Sequence, residues 1–423
     1  MSKVTLVLVT VALTAVAVLL VMNFTGGEKK IERRLTRVHS LEDPLFVHQL
    51  GAMLGPAMVG GNRVQVLKNG DEIFPPMLKA IRTAQATITF ESYIYWSGDI
   101  GREFADALSE RARRGVKVHV LLDWVGSAKM DDSLMAGMVE AGVQIRKFHP
   151  PHWSHLGRLN NRTHRKILVA DGRTAFTGGV GIAQQWTGSA QDPDHWRDTH
   201  FQVEVPVVAQ MQSVFLDNWI KATGDVLQGA AYFPIIEPVG VQAAQMFSSS
   251  PTGGSESMQL MYLLAVTAAT RSIDLSASYF VPDELMLRTL IEAVNRGVKV
   301  RIIVPGEHID SDTVRSASRA LWGGLLSSGV TIAEYRPTMF HCKVMIVDQM
   351  LVSVGSTNFD NRSFRLNDEA TLNVMDRGFA LQQTQIFEQD MALSRQISFA
   401  EWTQRPLREK LGEKVASLLG SQL

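Results

Sequence analysis

The sequence predicts an α/β fold built twice: two pseudo-symmetric sheet-and-helix domains with the site between them, preceded by one apolar helix. Four observations predict the duplicated fold. A short pattern, His-x-Lys followed by Asp, occurs in each half: His164, Lys166 and Asp171 within NRTHRKILVADGRTAFTGG, and His341, Lys343 and Asp348 within MFHCKVMIVDQMLVSVGSTN. Each copy is followed at the same distance by a small-residue pair, Gly178-Gly179 and Gly355-Ser356. The likeness also extends upstream, from ATITFESYIYW and RRGVKVHVLLD in the first half to RSIDLSASYFV and NRGVKVRIIVP in the second. Finally, each half reads strand, helix, strand, helix, strand before its motif, an alternation that implies a sheet covered by helices. A repeat this long is a duplicated domain and not a solenoid.

In chain order, residues 4–22 carry no charge, and only Thr5, Thr10 and Thr14 among them are polar. As a helix the run is about 28 Å long, close to the hydrocarbon thickness of a bilayer. A cleaved signal peptide has a shorter apolar region ending in a small-x-small site; this run ends Val-Met-Asn-Phe, which favours a retained transmembrane helix. Only Lys3 precedes it, whereas Lys29, Lys30, Arg33, Arg34 and Arg37 follow. The expectation is a single-pass protein of the cell (inner) membrane with its bulk on the cytoplasmic side, and a basic cluster able to hold anionic headgroups. The boundaries expected are an anchor over 1–27, a basic juxtamembrane segment over 28–60, domains over 61–234 and 235–400, and a tail over 401–423. The halves meet near 225–255, where SSSPTGGSES has loop composition and corresponds to NGDEIFPP of the first half.

The stretch from Gly142 to His164 is longer than its counterpart from Gly329 to His341, and carries Pro150, Pro151, His152, Trp153 and His155. It reads either as a loop meeting a lipid interface or as a packed surface loop. His152 and His155 have no carboxylate or cysteine at ligand spacing, so no metal is implied there. Tyr93, Tyr95, Trp96 and Trp124, near strand ends, read as core. The chain has 423 residues, 45% of them hydrophobic, and 42 basic against 42 acidic side chains, so nothing in its charge favours nucleic acid. The single cysteine, Cys342, cannot form an internal disulfide and is expected to pack in the core.

A His and a Lys two apart on a strand share one face and can be offered to one phosphate. A phosphodiester is an anion, so a nucleophile reaches it only when charge is offset, and two lysines supply that offset. Imidazole is a nucleophile and a proton carrier near neutral pH. Two histidines can therefore flank one phosphorus, one attacking in line while the other protonates the leaving alkoxide. Symmetry alone does not say which does which.

FESYIYWSGDIGREFADAL, NNRTHRKILVADG, FTGGVGI, HWRDTHFQVEVP and GSTNFDNRSFRLNDEA resemble the phospholipase D superfamily, and within it the bacterial cardiolipin synthases, over roughly residues 60–400. The resemblance implies His164 as nucleophile and His341 as general acid, then base. It implies Ser356 and Asn358 as donors near the phosphate, and Asp198 and Glu369 as acids that orient a histidine. Asp171 and Asp348 complete the catalytic motif, although their chemistry suits pinning a strand better than touching substrate. Gly181 stands where many relatives carry asparagine, which puts one phosphate donor in doubt. No cofactor or metal is implied, because lysines take the charge-neutralising role. The activity implied is a phosphatidyltransferase joining two phosphatidylglycerols into cardiolipin with release of glycerol. The alternative is a phospholipase D-type hydrolase, a nuclease being disfavoured by neutral charge. The implied partners are phospholipid substrates and a bilayer, with no nucleic acid.

Overall fold

The computed structural model describes residues 2–24, 31–150, 160–251, 253–254, 256–418, 420 and 422. In the first half the strands lie in the order Gln144–Phe148, Lys117–Asp123, Thr87–Ser92, Ile167–Ala170, Thr174–Gly178, Thr199–Glu204, Val59–Lys68. In the second the order is Thr331–Tyr335, Lys299–Pro305, Ser272–Ala277, Lys343–Val347, Leu351–Gly355, Asn367–Met375, Gln242–Ser249. These are the same connections twice. The last strand of each series is the first in its half, and these two pair antiparallel, with Val59 opposite Ala244. One 16-stranded sheet therefore runs through both halves.

The local causes repeat as well. Thr87–Ser92 is buried at every position, as befits a central strand covered on both faces. Helix Asp99–Arg113 buries Ile100, Phe104 and Leu108 at four-residue spacing, and helix Glu284–Asn295 buries Met286, Leu290 and Ala293. The conserved spacing of Arg-Gly-Val-Lys-Val has a backbone reason: Gly115 and Gly297 leave these helices at φ 89° and 90°, where a side chain is strained. Each half has its own core, around Phe90, Phe104 and Phe176 in one and Met261, Phe280 and Phe359 in the other. A third core takes Phe201 and Val203 from the first half and Met246, Phe340 and Leu372 from the second, so apolar packing crosses the seam. Cys342 belongs to it, and burial pushes its thiol far up.

Two buried arginines bolt the seam. Arg165, between His164 and Lys166, turns away from them and donates to the carbonyls of Val214 (2.8 Å), Ser249 (3.1 Å) and Glu369 (3.2 Å). Arg197 grips Asp390 through two bonds of 2.9 and 2.8 Å and donates to the Asp198 carbonyl at 2.7 Å. Such bidentate charged bonds fix orientation as well as position.

The expected membrane span is corrected. Lys3–Phe24 does form a helix. Among the described residues, however, no helix is long and apolar enough to cross a membrane. The transmembrane helix, the single-pass inner-membrane location and the orientation argued from it fall together. Lys29, Lys30, Pro151, His152, Trp153 and His155 lie outside the described residues.

Asp171 and Asp348 sit at hairpin turns beyond their strands, at the end away from the histidines. Asp171 accepts the N–H groups of Gln85 (2.8 Å), Ala86 (2.7 Å) and Thr87 (3.0 Å); Asp348 accepts those of Thr270 (2.8 Å), Arg271 (2.7 Å) and Ser272 (2.9 Å). Each pins the chain where it enters the central strand of its half. Asp348→Ala strips these three N–H groups and the Thr270 hydroxyl of their acceptor and is expected to cost about 2–4 kcal/mol. Urea denaturation should show this loss while the folded fraction keeps its specific activity. Full stability with lost activity would instead place Asp348 in the chemistry.

Candidate active site

The two motifs are brought to one place by backbone pairing across the seam. Arg162–Thr163 runs parallel to Asn367–Met375, and the His164 N–H donates to the Asp368 carbonyl at 2.9 Å. In the pseudo-symmetric counterpart, Arg197 bridges Phe340 in parallel and the His341 N–H donates to the Arg197 carbonyl at 2.8 Å. Asp368 immediately precedes Glu369, and Arg197 immediately precedes Asp198. Each histidine thus hangs beside an acid of the opposite half. His164 Nδ1 lies 3.0 and 3.1 Å from the Glu369 carboxylate oxygens, and His341 Nδ1 lies 2.7 Å from Asp198 Oδ2. The pattern was expected to lie on a strand; both histidines instead lie just ahead of theirs, Ile167–Ala170 and Lys343–Val347.

Each lysine curls back to its own histidine's carbonyl: Lys166 Nζ at 2.8 Å from His164 O, Lys343 Nζ at 2.8 Å from His341 O. Lys343 also donates to Ser278 Oγ at 2.8 Å and lies 3.1 Å from His341 Nε2. The Ser278 hydroxyl in turn donates to Asn358 Oδ1 at 2.7 Å. Glu369 is held by Ser356 Oγ at 2.5 Å and Asn367 Nδ2 at 3.3 Å, and Asp198 by the Trp186 indole N–H at 3.0 Å and the Thr199 N–H at 2.8 Å.

Burial is the largest influence on every titrating group here. Opposed by Glu369 and aided by Lys166, it pushes His164 down to about 4; aided by Lys343, it pushes His341 down to about 3. Burial also lowers Lys166 to about 7, and lowers Lys343. For Glu369 and Asp198 the facing histidines and lysines outweigh burial and hold both below the ordinary carboxylate range. The acids are ionised and both rings neutral. Each Nδ1–H is committed to a carboxylate, which leaves the Nε2 lone pair as the reactive end.

His164, His341, Lys166 and Asn358 line one cavity of about 480 Å³. Tyr93 and Trp96, read as core from sequence, also line it, whereas Tyr95 is core and bonds the Gly101 carbonyl at 2.9 Å. The Tyr93 ring stands 5.1 Å from that of His164. Sequence reasoning missed Ser278, Trp186 and Tyr279. A signal existed: Ser92-Tyr93 and Ser278-Tyr279 repeat within ESYIYW and ASYFV, and both tyrosines reach the cavity. Among the described residues no group of three His, Cys, Asp or Glu is arranged to hold a metal.

A family model described as "Cardiolipin synthase, PLD-like domain" matches residues 77–219 and 262–391. The chain belongs to this family. It is 34% identical over 362 residues to cardiolipin synthase A of Pseudomonas fluorescens (strain SBW25), covering 85% of this chain and 75% of the relative. To cardiolipin synthase 2 of Bacillus anthracis it is 32% identical over 401 residues, covering 94% and 77%. Among solved structures, the phosphatidylserine synthase of Haemophilus influenzae Rd KW20 matches with a TM-score of 0.65 at 13% identity, covering 89% of this chain and 100% of the other, a likeness of fold. As a family member the chain is an active-type enzyme of the phospholipase D superfamily that acts on phospholipids.

The halves of this phospholipase D-like enzyme are not equivalent. A Cβ at Gly179, the counterpart of Ser356, would stand 2.3 Å from Asp198 Oδ1. No serine fits there, and the Trp186 indole supplies the donor that Ser356 gives Glu369. At Gly181, the counterpart of Asn358, a Cβ would meet Ile94 Cβ at 2.9 Å and the Trp186 ring at 3.1 Å. The phosphate cradle therefore has its amide on one side only.

These charges fix a pH profile. Below about 4 His164 gains a proton and loses its lone pair; above about 7 Lys166 loses its charge. On a soluble short-chain substrate kcat/KM, which reports the free enzyme, should fall below the first value and show an alkaline limb at the second. Lys166→Arg keeps the charge to high pH and should move the alkaline limb up by at least about two units, whatever activity remains. An unmoved limb would assign it to another group.

Proposed function

We propose that the protein makes cardiolipin from two phosphatidylglycerols through a phosphatidyl-histidine. The observation that carries the reading is the crossed pair: two neutral imidazoles, each held at Nδ1 by the opposite half's carboxylate, opening on one cavity beside two lysines. His164 Nε2 makes no hydrogen bond among the described residues, while His341 Nε2 stands beside Lys343, which supports His164 as nucleophile. A bound phosphodiester adds negative charge that raises His341 and lets it carry a proton.

His164 Nε2 attacks phosphorus in line, and the bond from phosphorus to the headgroup glycerol oxygen breaks. Protonated His341 delivers its proton to that oxygen, and glycerol leaves. The terminal hydroxyl of a second phosphatidylglycerol enters, neutral His341 takes its proton, and its oxygen displaces His164. Lys166, Lys343 and Asn358 offset charge on the nonbridging oxygens. Asp198 and Glu369 act through the histidines they orient, Ser356 through the Glu369 carboxylate it holds, and Asp171 and Asp348 through the strands they pin.

Water can take the acceptor's place, and phospholipid hydrolysis is the alternative outcome of the same intermediate. The test gives purified protein phosphatidylglycerol vesicles and follows glycerol, cardiolipin and phosphatidic acid together. Cardiolipin should dominate, rising with the surface density of phosphatidylglycerol. Dominant phosphatidic acid, indifferent to that density, would make the protein a hydrolase. His164→Ala and His341→Ala should each lower turnover at least about a thousandfold with unchanged circular dichroism; a folded variant keeping a tenth of wild-type turnover would break the two-histidine scheme.

A further inference from the structure

The C-terminal helix Leu407–Ser417 is amphipathic the wrong way round for a helix that only packs on its own protein. Its inward face is polar. Glu413 is 4% exposed and takes the guanidinium groups of Arg319 at 3.1 Å and Arg405 at 2.7 Å, with Ala416 beside it against Val281, Val314 and Ala317. Its outward face is apolar: Leu407, Leu411, Val415 and Leu418 are 77%, 66%, 65% and 78% exposed. At 3.6 residues per turn these four fall within about 80° of arc. Arg408 and Lys414, both exposed, stand at the two margins of that arc. An apolar stripe edged by long cationic side chains is the pattern of a helix lying in a lipid interface, with its charges reaching up to anionic headgroups.

The helix also leads to the active site. Just past Leu418, the Gly420 carbonyl accepts from Asn361 Nδ2 at 3.1 Å, and the Gln422 carbonyl accepts from Arg362 at 3.3 Å. Gln422 and Arg362 both line the cavity that holds His164 and His341. We propose that this stripe is a docking surface for an anionic phospholipid membrane, which sets the cavity mouth at headgroup level. The inference rests on the phospholipid substrate proposed above, and commits to a lipid surface over a second copy of the chain because the cationic margins complement anionic headgroups.

The test uses the full chain. Cys342 is buried, so Leu411→Cys offers an accessible thiol for an environment-sensitive fluorophore, with Glu140→Cys as the exposed control. On adding vesicles of phosphatidylglycerol and phosphatidylcholine, the label at 411 should brighten and shift to the blue while that at 140 does not. Leu411→Glu with Val415→Glu should lower turnover of vesicle phosphatidylglycerol at least about tenfold and leave turnover of monomeric short-chain phosphatidylglycerol unchanged. A label at 411 that stays aqueous while wild type turns over vesicle lipid overturns the inference and leaves phosphatidyl transfer standing. A shift that follows protein concentration without vesicles overturns it in favour of a second copy. A label that enters lipid, with no cardiolipin formed from either substrate, upholds the surface and removes the phosphatidyl-transfer reading.

Discussion

Everything at this site depends on an acid from one half reaching a histidine of the other. A buried imidazole is neutral by default, as burial here makes both. Its usefulness then turns on which nitrogen carries the proton. Glu369 and Asp198 decide that by accepting from Nδ1, which aims a lone pair at the cavity from each side. Neither half contains a finished catalytic unit. The seam must therefore be built like a domain interior, and it is: a continuous sheet, a shared apolar core, and the buried guanidinium groups of Arg165 and Arg197 cross it.

Duplication supplies the geometry that phosphoryl chemistry asks for. In-line displacement needs a nucleophile and a proton donor on opposite sides of one phosphorus. A pseudo-twofold arrangement of one motif gives that at once. The asymmetries are then the informative part. The shorter aspartate at 198 comes close enough to its strand to require Gly179, and Trp186 takes over as donor. The longer glutamate at 369 leaves room for Ser356. Asn358 remains on the His341 side alone, tied through Ser278 to Lys343. Two halves of common origin have thus taken up different roles without losing the shared frame.

The repeat made much of the fold legible. Strand order and connections follow from matched blocks, and the paired glycines at 115 and 297 mark helix ends because their backbone angles demand it. The histidines, lysines and orienting acids were legible as residue types. Their crossing was not: His164 and Glu369 are 205 residues apart and His341 and Asp198 are 143 apart, and nothing in linear spacing separates pairing within a half from pairing across it. Trp186 was hidden because its partner is defined by a missing side chain, Gly179. The apolar N-terminal run invited a bilayer span from composition, yet among the described residues no helix is long and apolar enough to cross one. Residues 401–423 read only as a tail, because the meaning of their apolar spacing depends on which face is packed, and that shows in the burial of Glu413.

The most direct measurement of the central claim is the position of the covalent adduct. Protein turning over phosphatidylglycerol is quenched in alkaline denaturant, where a phosphorus–nitrogen bond survives, then digested and read by tandem mass spectrometry. The crossed-pair account predicts a phosphatidyl group on the peptide carrying His164, and its loss in Glu369→Gln, which removes the charge that fixes the ring. An adduct on His341, or steady turnover with no adduct on either histidine, would contradict it.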